Sequence, residues 1–235
     1  MTGILYLIPS TLGDSPIDRV LPAEVSQLIK SLVYFVVENE RTARRFLKIV
    51  DRSIQIDALV FSVLDKDTPA SQRAGLLKPL LEGHNVGILS EAGCPGIADP
   101  GADLVELAHE KGIRIVPLVG PSSILLAMMA SGMNGQSFAF NGYLPVKKHE
   151  KDEAIRRYEL RSLKEHQAQV FIEAPYRNVQ LFDDLLTVLK PDTKLCIACD
   201  ITLDTEFIAT RTVSRWKGKR PDIQKRPAIF IVQGS

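Results

Sequence analysis

Along the first 131 residues, short apolar runs alternate with longer stretches in which apolar positions recur every three or four residues. Gly3–Ile8, Leu32–Val37, Ala58–Phe61, Asn85–Leu89 and Ile113–Pro117 are compact apolar runs closed by turn or polar residues, the pattern of buried strands. Ile17–Lys30, Arg41–Val50, Pro69–Gly83, Ala102–Lys111 and Ser122–Ser131 carry helical spacing. Such alternation predicts a mostly parallel sheet covered by helices.

The texture changes after Gly132-Met133-Asn134-Gly135. Ser137–Phe140 reads as one more strand, Asn141–Pro145 as a linker, and residues 149–165 as a charged helix. Strands at Gln169–Glu173, Lys194–Ala198, Glu206–Thr212 and Ala228–Val232 follow, with a helix over Asn178–Leu189. The last three strands succeed one another without a long helix, which predicts a mixed sheet with antiparallel pairs. The expectation is an α/β protein of two α/β domains, residues 1–141 with a mostly parallel sheet and flanking helices, and residues 142–235 with a mixed sheet. A ligand cleft is expected between them.

Hydrophobic residues make up 45% of the chain and charged ones 24%, ordinary values for a globular protein, so disorder is not the default. The net charge of +1 is unevenly spread. Residues 1–141 hold 12 Lys/Arg against 15 Asp/Glu, whereas residues 142–235 hold 17 against 13, so the second half is the better match for an anionic partner. Three cysteines cannot all pair internally and fit a reducing compartment. The apolar run Ile4–Ile8 is too short for a signal-peptide core, and no run approaches the ~20 residues of a membrane span. The sequence therefore reads as cytoplasmic and not membrane-bound.

Residues 90–101, Ser-Glu-Ala-Gly-Cys-Pro-Gly-Ile-Ala-Asp-Pro-Gly, hold three glycines and two prolines directly after the strand ending at Leu89. A loop of this kind at a sheet's carboxyl end either leaves amide groups available to a small ligand or is a long surface turn without one. Pro9-Ser10-Thr11-Leu12-Gly13 follows the first strand, but neither a dinucleotide nor a triphosphate fingerprint is present. Ser122 suits a helix N-cap, and with Ser123 it could also face a ligand. Glu38-Asn39-Glu40-Arg41 ends the second strand at the same sheet edge, where Arg41 could hold an anion or make a structural ion pair. Glu173-Ala174-Pro175-Tyr176-Arg177 brings a carboxylate, an aromatic ring and a guanidinium to one turn, a set suited to a nucleotide but also found in ordinary turns.

Cys196 and Cys199 fall within a strand on opposite faces, which favours buried thiols over a metal pair. His84, His109, His149 and His166 show no ligand spacing, so no metal is expected. The segment from Arg211 to Arg226 carries seven basic residues and Trp216, and could track phosphates and stack a base, or be a solvated loop. Composition and spacing alone reach no further than a two-domain α/β protein with a ligand cleft.

Taken in order, the loops resemble those of the tetrapyrrole methylase superfamily of S-adenosylmethionine-dependent methyltransferases, nearest to the branch that methylates a cytidine 2′-hydroxyl in small-subunit (16S) ribosomal RNA. Leu5–Asp14 resembles L-Y-I-V-P-T-P-I-G-N, Glu38–Arg41 resembles E-D-T-R, and residues 90–101 resemble S-D-A-G-T-P-x-I-x-D-P-G. Pro117–Ser122, Phe140–Pro145 and Phe171–Arg177 match further motifs. The resemblance implies S-adenosyl-L-methionine held by Pro9, Ser90, Glu91, Ala92, Gly93, Ser122 and Ser123, with Ile172, Pro227 and Ala228 from the second domain. It also implies a homodimer acting on ribosomal RNA in rRNA processing, with Glu38, Arg41, Glu173 and Arg177 as catalytic candidates. The branch's A-R-E-L-T-K reads Ala198-Cys199-Asp200-Ile201-Thr202-Leu203 here, so an arginine and a lysine are missing. A tetrapyrrole or other small-molecule acceptor, or a decayed module that binds donor or RNA without turnover, stand as alternatives.

Overall fold

The computed structural model describes residues 2–234. The chain divides into two compact units, residues 1–122 and 123–235. The first runs β1 (Ile4–Ile8), α1 (Ile17–Val20), α2 (Ala23–Ser31), β2 (Tyr34–Val37), α3 (Glu40–Val50), β3 (Val60–Val63), α4 (Ala70–Arg73), α5 (Lys78–Leu81), β4 (Val86–Leu89), α6 (Gly101–Glu110) and β5 (Arg114–Pro117). The second runs α7 (Ser123–Ser131), β6 (Phe138–Tyr143), α8 (Lys148–Glu165), β7 (Ala168–Ile172), α9 (Asn178–Val188), β8 (Lys194–Cys199), β9 (Phe207–Thr212), α10 (Val213–Trp216) and β10 (Ala228–Gln233).

In the first unit the strand order is β3-β2-β4-β1-β5, every pair parallel. Alternation along the strands divides the core between two faces. Ile8, Phe35 and Val37 join Val25, Ile29, Phe46 and Leu47 of α2 and α3 on one side, while Leu5, Val36 and Ile88 join Leu80, Leu104 and Ala108 on the other. All four β4 residues are buried, as expected of a central parallel strand.

Two predicted helices are broken. Leu21 is extended (φ −118°, ψ 133°) because Pro22 follows it, so the span predicted at 17–30 becomes α1 and α2. The span predicted at 69–83 becomes α4, a 3-10 turn at Ala74–Leu77, and α5, with Pro79 in the first turn of α5.

The second unit has the order β6-β7-β10-β8-β9, with β6 parallel to β7 and the other pairs antiparallel. The unit boundary precedes the expected 141/142 division, because α7 packs on β8, β9 and β10 and β6 pairs with β7. Asn141–Tyr143, read from sequence as linker, continues β6 through an irregularity in which Gly142 takes φ +64°. The core combines Phe171, Phe182, Leu185, Leu195, Ile197 and Phe230 with Trp216.

Candidate functional site

The carboxyl ends of β1, β2 and β4 converge in the first unit, where open α/β sheets hold ligands. Ser10 and Gly93 exchange both backbone hydrogen bonds: the Ser10 amide donates to the Gly93 carbonyl at 2.9 Å and the Gly93 amide returns one at 3.2 Å. The Ser10 hydroxyl also donates to the Ser90 carbonyl at 3.1 Å. Gly93 adopts φ +74°, a left-handed conformation that a Cβ would disfavour. Gly120 is fixed differently, since a Cβ there would lie 2.4 Å from the Pro9 Cβ and 2.8 Å from Leu21. Pro9 is accordingly buried packing beneath the loop ends. The Ser122 position directly precedes the first residue of α7, where the sequence placed an N-cap.

A cavity of about 360 Å3 opens at this edge, walled by Ser10–Asp14, by Glu38 and one face of α3, and by Leu89–Ala92. Its volume lies within the range of small-molecule sites. Asn39 caps α3, its side chain accepting from the Arg41 and Thr42 amides at 2.9 and 3.2 Å. The cap sets the helix so that Thr42, Arg45, Phe46 and Ile49 face the cavity at i, i+3, i+4 and i+7. Arg41 falls outside that spacing and is exposed, whereas Arg45 lines the cavity. Thr42 Oγ1 donates to Glu91 Oε1, tying α3 to the 90–101 loop.

Glu38 is half-buried, and its Oε1 accepts from the Glu91 amide at 3.1 Å. Burial pushes its carboxyl above the usual carboxylate range, the amide bond opposes this, and the Asp99 and Glu91 charges add to the rise. Asp99 Oδ1 accepts from the Gly96 and Gly101 amides, both at 2.8 Å, which closes the loop on itself. Asp99 Oδ2 is buried with no hydrogen-bond partner among the described residues, and burial raises this carboxyl too. Glu38 and Asp99 meet again around a small void with Val36, Leu64 and Ile88.

In the second unit the ends of β7 and β10 carry the remaining predicted residues. Ile172 pairs in register with Ile229, Ala228 pairs with Cys199, and the Asp200 amide donates to the Pro227 carbonyl at 3.0 Å. Glu173 is buried, and its Oε1 accepts from the Ala174 amide at 2.8 Å and from Arg177 Nε and Nη2 at 2.9 and 2.6 Å. The hydrogen bonds to Glu173 push the Arg177 guanidinium further up from its ordinary value and orient its fork. Arg226 Nε donates to Asp200 Oδ2 at 2.9 Å, and its Nη2 to the Thr205 carbonyl at 2.6 Å.

Residues 21–215 match the family model described as Tetrapyrrole (Corrin/Porphyrin) Methylases. The chain belongs to that family. Among curated relatives, ribosomal RNA small subunit methyltransferase I of Haemophilus influenzae is 31% identical, over 100% of this chain and 80% of that protein. The protein of the same name from Escherichia coli O157:H7 is 28% identical over 99% and 78%, and that of Micromonospora olivasterospora 34% identical over 87% and 61%. The crystal structure of the methyltransferase CobJ superposes with a TM-score of 0.65 at 16% identity, covering 100% of this chain and 95% of that one. Membership of the tetrapyrrole methylases makes the chain an S-adenosylmethionine-dependent methyltransferase.

The residues that the sequence of this tetrapyrrole methylase nominates fall in both units. Pro9, Glu38, Arg41, Ser90, Glu91, Ala92, Gly93 and Ser122 belong to the first, and Ser123, Ile172, Glu173, Arg177, Pro227 and Ala228 to the second. Ser90, Glu91 and Glu38 do share one cavity wall. Thr42, Arg45 and Asp99 escaped sequence reasoning. The i, i+3, i+4 spacing on α3 was the signal available for the first two; Asp99 has none, because its role is to hold two amides of its own loop.

Trp216 corrects the sequence reading. It is 1% exposed, donates from Nε1 to the Leu195 carbonyl at 2.9 Å, and meets Phe182 edge-on at 5.6 Å, so it is core and offers no face to a base. Cys199 points into the core, where burial pushes its thiol up to about 11, and Cys196 lies on the other strand face. No group of three or more His, Cys, Asp or Glu suited to a metal occurs among the described residues.

Proposed function

We propose that this enzyme transfers a methyl group from S-adenosylmethionine to a ribose 2′-hydroxyl of small-subunit ribosomal RNA. The observation carrying the proposal is its similarity, over nearly its whole length, to proteins named ribosomal RNA small subunit methyltransferase I. The donor, when bound, supplies a methyl group already activated on a sulfonium. The residues fit such a molecule: the cavity is of adequate volume, is walled by the small side chains of Ser10, Gly13, Ser90 and Ala92, and has the fixed backbone of Gly93 beside it. The resemblance adds Ser122, Ser123, Ile172, Pro227 and Ala228 to the donor's neighbours.

A hydroxyl nucleophile must lose its proton as it attacks. Glu38 serves as the acceptor, because a carboxyl held above its usual range is a stronger base once ionised. Glu173 is committed to Arg177 and acts as its positioning residue, leaving Arg177 to hold phosphate, with Arg41 as a second cation.

The working form is read as a cytoplasmic homodimer. No helix among the described residues is long and apolar enough to cross a membrane, and α7, apolar on all sides, leaves Leu125 and Met129 exposed for a second copy. Sedimentation that returned only the monomer mass would remove the dimer.

The direct test incubates the protein with radiolabelled donor and unmodified small ribosomal subunits. Label is expected on RNA ribose, and Glu38→Gln is expected to lower kcat by roughly 10²- to 10⁴-fold with donor affinity by calorimetry unchanged. Label confined to small molecules would move the acceptor to a tetrapyrrole-like compound, and donor binding without any product would leave a decayed module.

A further inference from the structure

The sequence offered Trp216 as one candidate for base stacking, yet two other aromatic side chains stand in the open. Tyr176 is 64% exposed and Tyr143 59% exposed. Tyr143 ends edge strand β6 beside Ile172, and the Glu173–Arg177 turn leaves β7 directly after Ile172, so register brings both rings to one end of one sheet edge. Arg177 stands by both: its guanidinium carbon is 5.4 Å from the Tyr176 ring centre, and its charge is within electrostatic reach of both phenols. The buried Glu173 carboxylate holds that guanidinium in place.

The basic segment is fastened to this platform. The Lys225 amide donates to the Pro175 carbonyl at 3.0 Å, and Gln224 Nε2 to the Tyr176 carbonyl at 3.4 Å. Lys225 adopts φ +59°, an unfavourable conformation for a residue with a side chain, sustained by this attachment. Lys217, Lys219 and Lys225 are exposed, whereas Arg220 and Arg226 are engaged by Asp183 and Asp200. Exposed aromatic faces beside held and solvent-exposed cations are what single-stranded nucleic acid requires, since bases stack on the rings while the phosphates meet the cations. Duplex RNA offers no splayed bases to stack.

We infer that Tyr143, Arg177 and Tyr176, rimmed by Lys225, form a stacking platform for unpaired nucleotides of the RNA substrate. This assignment rests on the RNA reading above and extends it to a strand-binding subsite.

The experiment is fluorescence anisotropy of the full chain with a labelled, unstructured pyrimidine-rich oligoribonucleotide, beside calorimetric titration of S-adenosylmethionine. Tyr143→Ala and Tyr176→Ala are each expected to weaken oligonucleotide binding about 5- to 150-fold, with Tyr176→Trp restoring it and donor affinity unmoved. Lys225→Ala is expected to flatten the dependence of log affinity on log salt by about 0.7. Because both rings are exposed, circular dichroism of the variants should match the parent. Unchanged oligonucleotide affinity in the tyrosine variants, no binding by the parent protein, or preference for a duplex of equal length would each overturn the platform. If the parent protein methylates ribosomal RNA while those variants bind the strand normally, only the platform falls. Tyrosine-dependent strand binding without methylation of any RNA removes the transferase reading and leaves the platform.

Discussion

Glu38, the proton acceptor proposed above, also ties stability to pH. Burial raises its pKa in the folded state, so folding favours its protonated form. The stability this provides is complete below the unfolded value of 4.5 and is lost as pH rises through the raised folded value. Glu38→Gln removes the titration. Urea unfolding at stepped pH should therefore find the variant gaining on the parent protein toward neutral pH, the two curves converging in acid. Trp216 is the residue-scale counterpart without chemistry: Trp216→Ala should cost about 3–5 kcal/mol in the same assay, with a lost hydrogen bond to Leu195 added to the cavity. Sequence showed that Glu38 closes an apolar strand, but could not tell that Trp216 is buried. A basic, Pro- and Gly-broken segment reads as loop, and the four-residue α10 that turns the indole inward is too short to show periodicity.

At the scale of elements, α3 and the loops around it decide the cavity. Asn39→Ala removes the cap on two amides and should cost about 1 kcal/mol, with a further loss of donor affinity as Thr42 loosens from Glu91. Gly120→Ala should destabilise by about 1–3 kcal/mol, because its new methyl would meet buried Pro9; a melting temperature equal to the parent's would contradict the close approach. Strands were the most legible elements, since central ones such as β4 and β8 are buried on both faces and give near-continuous apolar runs. Helices were legible in type but not in continuity. Leu21-Pro22 and Pro79 broke two of them, each proline acting on backbone that hydrophobic spacing does not report.

For the molecule as a whole, sequence supplied two α/β sheets and the order of their loops, but it divided the chain at a Gly-containing stretch that proved to be a strand irregularity. The difference is testable. Residues 123–235 expressed alone retain α7 and all of β6 and should melt cooperatively, whereas residues 142–235 lack α7 and most of β6 and should not. Departures near the second sheet also make sense at this scale. Cys199 faces a packed interior, and Arg226, held by Asp200, supplies a cation in that neighbourhood.

The reciprocal bond between Ser10 and Gly93 carries a last implication. It is made entirely of peptide groups, so drift in side chains can rewrite much of the surrounding text without unfastening it. A clasp of that sort is inherited through backbone shape rather than through particular letters, which allows so divergent a chain to keep its crevice edge.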